Sequence, residues 1–336
     1  MPARFGARRM EAAHTRLKGV QGLDLDFASG RYALNSPYGS AFPAGWSFSR
    51  TGAATALDLA GNVIQFATGV PRITNRGLLV EEGRTNLLLN SATLSTQTVA
   101  ATAVPHTLSF YGTGTVTLTG ASTAGPLVGT GANNRVTLTF TPIVGPLLLT
   151  VTGSVTTAQL EAGSSASSPI ITTGAAGTRG GDVPLLTGVP FYAGGVTLLA
   201  ELEELTAAAP ASANEFITSL SDNSINNRIS LFRIQGTSSL GSRSTVGGAA
   251  TNPGDIASVL GVGVRRAGAS VLAGRSISAV GGTISTSAAP ASVPPYTQLN
   301  VGLNDTANGS WVNAYIRRIR IIPRAVSDAE LVALTT

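Results

Sequence analysis

Thr115–Gly120, TVTLTG, and Val136–Thr141, VTLTFT, carry the pattern on which the fold turns. In the first, Val116 and Leu118 alternate with Thr115, Thr117 and Thr119; in the second, Val136, Leu138 and Phe140 alternate with Thr137, Thr139 and Thr141. Successive side chains of a strand point to opposite faces, so a period of two gives each strand one buried and one wet face. Leu147 to Val151 is more continuously apolar, as expected of a strand inside a sheet. Upstream, LDLAGNVIQF sets Ala60, Gly61 and Asn62 between two apolar segments, the spacing of a hairpin. Downstream, strand-like text resumes near Gly195 with VTLLAELEEL and runs through NNRISLFRI and QLNVGLN to WVNAYIRRIRIIP. In that last stretch Ala314 and Ile316 share one parity and Ile319 and Ile321 the other, which predicts a bulge or a change of packing face near Arg317 and Arg318.

Composition supports the same class. The chain has 336 residues with 40 Gly and 17 Pro, punctuating short strands rather than long helices. That length exceeds one core. The expected fold is therefore all-β: two antiparallel β-sandwiches of jelly-roll type over 23–184 and 185–336, with 164–184 as a surface wrap between them. A basic N-terminal arm precedes them at 1–22, partly helical. A short helix closes AVSDAELVAL, where Ser327 can cap onto Glu330 and Val326 can staple against Leu331. Cysteine is absent, which excludes disulfides and thiolate metal sites. No segment approaches the roughly 20 apolar residues of a membrane-spanning helix, and the N-terminus does not read as a secretory signal.

The net charge of +5 is unevenly placed. Arg4, Arg8, Arg9, Arg16 and Lys18 stand against Glu11 in the first 18 residues, leaving 17 basic and 16 acidic side chains for the rest. Such an arm suits attachment to an acidic partner surface; a whole-protein nucleic-acid footprint is not expected.

Catalytic constellations are thin. The two histidines, His14 and His106, have no setting for a serine triad. GTGTVTLTG and VGTGANN lack the Lys-Ser/Thr of a phosphate loop. Glu201 and Glu203 share one face of a strand, two residues or roughly 6.5–7 Å apart, a spacing that rotation can adapt to glycoside hydrolysis. The alternative is an exposed edge strand kept soluble by charge, and no enzyme is expected. Asp222, Asn223, Asn304, Asp305 and Asn308 offer oxygen ligands of the kind Ca²⁺ takes; they serve equally as turn formers, so no cofactor is expected.

FSRTGAATALDLAGNVIQFATGVPRITNRGLLVEEGRTNLLLNS, Phe48–Ser91, resembles a module of phage and prophage fiber or spike proteins through Arg50, Pro71, Arg72, Gly77, Glu81 and Arg84 to Asn86. QLEAGSSASSPIITTGAAGTRGGD, Gln159–Asp182, is similar to the closing segment of carbohydrate-binding jelly-roll modules in such proteins, with Ser168 and Pro169 where an aromatic usually stands. AYIRRIRIIPRAVSDAELVAL, Ala314–Leu334, resembles the end of laminin G-like domains of the concanavalin A-like lectin/glucanase fold.

The resemblance implies a tail-fiber or head-spike subunit of a phage or gene transfer agent. It implies an oligomer on a particle surface, made in the bacterial cytoplasm, with host-surface polysaccharide and other particle proteins as partners. A purely structural subunit and a polysaccharide depolymerase are the alternatives. For glycans, Trp311, Tyr296, Tyr192 and Trp46 offer ring faces, with Asn226, Arg228 and Asn304 as hydrogen-bonding partners.

Overall fold

The computed structural model describes residues 22–205, 213–257, 261–305 and 309–336; the arm residues Arg4, Arg8, Arg9, Arg16 and Lys18 lie outside them. The fold is all-β, with antiparallel sheets and, among the described residues, one helix at Asp328–Thr335. The chain divides into two compact units. An inserted unit comprises Phe48–Thr74 and Glu81–Asp182; a split unit comprises Asn75–Val80, Val183–Thr336 and the residues up to Ser47.

In the inserted unit the alternating stretches form two sheets. One runs Gly131–Phe140, His106–Gly112, Val155–Ala162; the other runs Leu127–Val128, Thr115–Gly120, Gly145–Thr152, Gln97–Ala101. Leu108, Phe110 and Leu160 of the first share a core with Val116, Leu118, Leu147 and Leu149 of the second. Gly145–Thr152 lies between two neighbours, as its apolar run predicts, although Leu148 on its other face is exposed. The expected hairpin forms between Ala54–Leu57 and Val63–Phe66. Asp58 organises its turn by accepting from the Asn62 main-chain N at 2.8 Å, and Gly61 takes φ +83°, where a β-carbon is costly.

In the split unit a larger sheet runs Arg31–Leu34, Leu23–Asp26, Ala314–Ile322, Val196–Glu204, Gly263–Leu272, Arg275–Val280. A smaller one runs Ala249–Thr251, Leu240–Val246, Arg228–Arg233, Glu215–Ser221, Gln298–Val301, Val183–Thr187. Ser244 of the smaller and Ser276 of the larger hydrogen-bond at 3.3 Å, which fixes their facing sides. The bulge falls at Arg317: Arg318 is opposite Glu201 but Ile316 is opposite Leu202. The extra residue returns Ala314, Ile316, Ile319 and Ile321 to one buried face.

Three expectations are corrected. Residues 23–47 and 75–80, expected inside a sandwich spanning 23–184, belong to the split unit: Leu23 pairs with Ile321 and Leu78 with Ile316. One edge of the nine-residue strand Ala314–Ile322 takes these two short partners in succession, so its N–H and C=O groups are paired on both sides of the bulge. Val196–Glu204 is an interior strand rather than a charged edge, and Glu201 and Glu203 are held by Arg266, Arg317 and Arg76. Segment 164–184 is no surface wrap, since Gly177–Arg179 pairs with Arg84–Asn86 and buries Arg179 and Asp182.

The helix packs on the outer face of the larger sheet through Val326, Leu331 and Leu334 onto Leu199, Ile277, Ala279 and Ile322. Gly268 makes room, because a β-carbon there would stand 2.5 Å from Leu199 and 3.0 Å from Leu331. Ser327 accepts from the Glu330 N at 3.3 Å, and Val326 and Leu331 are both buried, as the capping sequence predicts. Ser327→Ala is expected to cost about 1 kcal/mol, seen as a lower thermal midpoint with sheet signal unchanged.

Candidate functional site

Arg50, Arg72 and Glu81 of the motif in Phe48–Ser91 come together, but as scaffold. Arg72 donates to Glu81 at 2.6 Å, to Ser168 at 2.7 Å, to the Thr55 carbonyl at 2.9 Å and to Asp182. Arg50 reaches Asp182 at 3.2 Å, and Arg179 donates to Glu81 and, at 2.7 Å, to Ser168. All five charged groups are buried. Burial alone would raise the Glu81 carboxyl, but Arg179 and Arg72 outweigh it and hold it well below the ordinary range. Ser168 is a member of this network. Asn86 is equally structural: its amide donates to the Ala158 and Ile170 carbonyls and its oxygen accepts from the Leu88 and Leu160 main chain.

A different arrangement covers the smaller sheet of the split unit, on the face turned away from the larger one. Leu220, Ile229, Leu231, Leu299 and Val301 occupy the core parity and are buried. The other parity is polar. Ser221, Arg228 and Thr245 form one row across three strands, and Ser219, Ser230 and Arg243 the next. Gln298 and Asn300 extend these rows opposite Ser221 and Ser219. Side chains join along them: Ser219 to Ser230 at 2.9 Å, Asn300 to Ser221 at 3.3 Å, and Gln298 to Asn223 at 3.2 Å. Arg228 donates to Asn304 and lies over the Phe216 ring at 5.4 Å, while Arg243 lies 5.4 Å over Phe232. Burial, then repulsion from Arg243, lowers the Arg228 guanidinium from its ordinary value, and Asp305 opposes this.

Two atoms of the first row, Arg228 Nε and Thr245 Oγ1, are buried with no hydrogen-bond partner, as are the Nε atoms of Arg72 and Arg179 in the charge network. Unpaired buried polar atoms are uncommon in folded proteins because each loses its hydration without replacement. Around them, Asn223 and Asn226 are exposed and Arg243 and Trp311 half-buried. Rigid strands thus present amides, hydroxyls and a guanidinium beside an aromatic ring. This mixture can hydrogen-bond the hydroxyls of a sugar and cover its apolar face.

Of the residues expected to bind sugar, four gather here. Arg228 and Asn304 touch; Asn226 sits on the neighbouring turn, its carbonyl accepting from Gly248 at 2.9 Å; Trp311 bridges to Phe216 and lies over Gly309. Tyr296 is corrected. It is 1% exposed, packs edge-on against Phe191 at 5.2 Å and accepts from the Tyr192 main chain, so neither ring face is open. Trp46 is stacked on Phe42 at 4.5 Å, within an aromatic cluster that includes Phe27 and Tyr32. Tyr192 is half-buried.

Among the oxygen ligands weighed for Ca²⁺, Asp222 accepts from Ser224 at 2.6 Å and Asn227 at 2.8 Å, closing its own turn. Asn223 accepts from Gln298 and Asn304 from Arg228, Asp305 bridges to Gly309, and Asn308 lies outside the described residues. Among the described residues no group of three or more His, Asp or Glu is placed to hold a metal. Thr245, Gln298, Asn300 and the Ser219–Ser230 pair were not anticipated. For all but Thr245 the signal is the alternation SLS, QLN and RIS, in which one polar residue recurs every second position.

No protein-family model matches the chain. No curated protein matches it either. Among solved structures it is similar to the CBM40 of a Ruminococcus gnavus IT-sialidase, at 11% identity over 45% of this chain and 98% of that one, with a TM-score of 0.35. It is similar to mouse laminin alpha1 domains LG4-5, at 12% identity over 77% and 96%, TM-score 0.30. A heptameric SAP-like pentraxin from Limulus polyphemus gives 7% identity over 76% and 82%, TM-score 0.33. Similarity at this level carries nothing about what this chain binds.

Proposed function

We propose that the chain is a non-enzymatic glycan-binding protein whose split unit holds sugar hydroxyls on the polar face around Arg228, Thr245 and Asn304. The observation that carries this reading is the pair of buried, unpartnered atoms in the first row, Arg228 Nε and Thr245 Oγ1, beneath a rim of exposed Asn223 and Asn226. A hydroxylated ligand supplies both with partners. The finer reading, a fiber or spike subunit of a phage-type particle that adheres to host polysaccharide, rests on the motif resemblance of Phe48–Ser91 and on the basic arm as an attachment element. Homo-oligomerisation belongs to the same proposal. Within it the inserted unit is a spacer, because Arg50, Arg72 and Glu81 of its motif are engaged in the buried charge network.

A glycan array with the full chain tests the binding. Thr245→Val keeps shape and removes an unpaired hydroxyl, so it is expected to leave stability unchanged or slightly raised while weakening glycan binding about tenfold, one lost ligand hydrogen bond. Arg228→Ala is expected to abolish the signal. A wild-type protein that binds no glycan leaves the purely structural reading in its place. Reducing ends released from purified capsule would overturn the non-enzymatic one.

A further inference from the structure

The outer face of the larger sheet is half apolar, under the helix, and half charged. The register sets Leu199 opposite Arg320, and Glu201 opposite both Arg266 and Arg318. Where the halves meet lies a cavity of about 300 Å³, lined by Leu199, Glu201, Arg266, Arg318, Arg320 and Leu334 among others. Three arginines and one glutamate line it. Arg266 and Arg317 share Glu201 at 2.8 and 2.9 Å, and Arg266 also donates to the Thr336 carbonyl oxygen. Arg318 takes both oxygens of Asp24, with its Nε at 2.7 Å.

Arg320 is left over. Its contact with a carboxylate is 3.8 Å, to the Asp24 oxygen that Arg318 and Tyr38 already engage, and that is beyond hydrogen-bond reach. Burial lowers the Arg320 guanidinium from its ordinary value, and the attraction of Asp24 is offset in part by repulsion from Arg318. Three guanidinium groups, of Arg266, Arg318 and Arg320, therefore line a cavity whose other wall is Leu199 and Leu334. The planar fork of an arginine matches a carboxylate in two parallel hydrogen bonds. A volume at the lower end of ligand pockets, roughly 300–1,000 Å³, admits one small ring rather than an oligosaccharide.

We propose that this cavity is a second binding site, separate from the polar face of the smaller sheet, that takes a compact organic carboxylate of hexuronate size. The carboxylate pairs with Arg320 and the carbon skeleton lies against Leu199 and Leu334. Calorimetric titration of the full chain with sodium glucuronate, glucose and sodium sulfate tests it, and a disaccharide ending in glucuronate separates a chain terminus from the free acid. Glucuronate or that disaccharide is expected to bind and glucose not to.

Arg320→Gln is expected to weaken binding at least about tenfold, the worth of a charge-assisted hydrogen bond. Asp24 keeps its Arg318 pair in that variant, so the thermal midpoint should move little; Arg320→Lys, which keeps charge without the fork, should fall between. Arg228→Ala should bind glucuronate as wild type does, so the two sites fail independently. Wild-type affinity in Arg320→Gln and Arg320→Lys, no glucuronate binding at all, or binding indistinguishable from sulfate and erased at about 0.15 M salt would each overturn the proposal.

Discussion

Glu81→Gln is expected to destabilise the inserted unit by about 3–5 kcal/mol, the cost of removing one partner from a buried ion pair. The substitution leaves the Arg72 and Arg179 guanidinium groups, both fully buried, without the carboxylate that now joins them. Glu201→Gln is the contrast. Glu201 is partly exposed between Arg266 and Arg317, so its loss should cost at most about 1 kcal/mol. Hydrogen exchange in His106–Gly112 and Val155–Ala162 reads the inserted unit, while Trp46 and Trp311 fluorescence reads the split unit.

The same residue sets an acid limit. A carboxyl whose pKa is depressed on folding contributes stability that is complete above its unfolded value, about 4.3, and is lost as pH falls toward the folded one. The inserted unit of the wild type should therefore weaken below about pH 4.3, and in Glu81→Gln that part of the slope should be missing. An identical slope in the variant would show that other carboxyls govern acid unfolding.

Gly302→Ala is expected to cost about 2–4 kcal/mol, combining the left-handed backbone penalty with overpacking. Gly302 has φ +77°, and a β-carbon there would lie 2.6–2.9 Å from three side-chain atoms of Val80, itself fully buried. Gly274 is a matched control, with φ +78° and nothing within 4 Å, so Gly274→Ala should carry the backbone penalty alone. Gly302 also places the candidate glycan face, since it donates to Ile217 and accepts from Val312 on either side of the turn that delivers Asn304 and Trp311. Glycan binding should fall with stability in Gly302→Ala and survive in Gly274→Ala; equal midpoints in the two variants would refute the packing account.

What could be read in advance follows from the range of each signal. The strands at Thr115–Gly120 and Val136–Phe140, the hairpin at Gly61, the Arg317 bulge and the Ser327 cap are local patterns of two to ten residues, and each took its expected form. The partner of Leu23–Asp26 was not legible, because an apolar alternation specifies a face and leaves the neighbour open. Burial was the least legible property. Tyr296 read as a sugar platform and is core, whereas Ser219, Ser221 and Asn300, for which the sequence suggested no role, are almost wholly buried beside Arg228. Arg72, Glu81 and Asp182 were visible as a motif, but charge alone does not distinguish a surface site from an interior clamp.

The pairing of Leu23–Asp26 with Ala314–Ile322 also sets an order of events during synthesis. Asp24 and Arg318 are 294 residues apart in the chain yet joined by side-chain hydrogen bonds. Closing so long a loop costs entropy that grows only with the logarithm of its length, so the penalty falls mainly on rate. A ribosome releases Phe48–Asp182 well before Ala314 is made, and that unit can collapse on its own contacts while Leu23–Asp26 waits unpaired. Until the strand at Ala314 arrives, those waiting edges are open to other nascent chains.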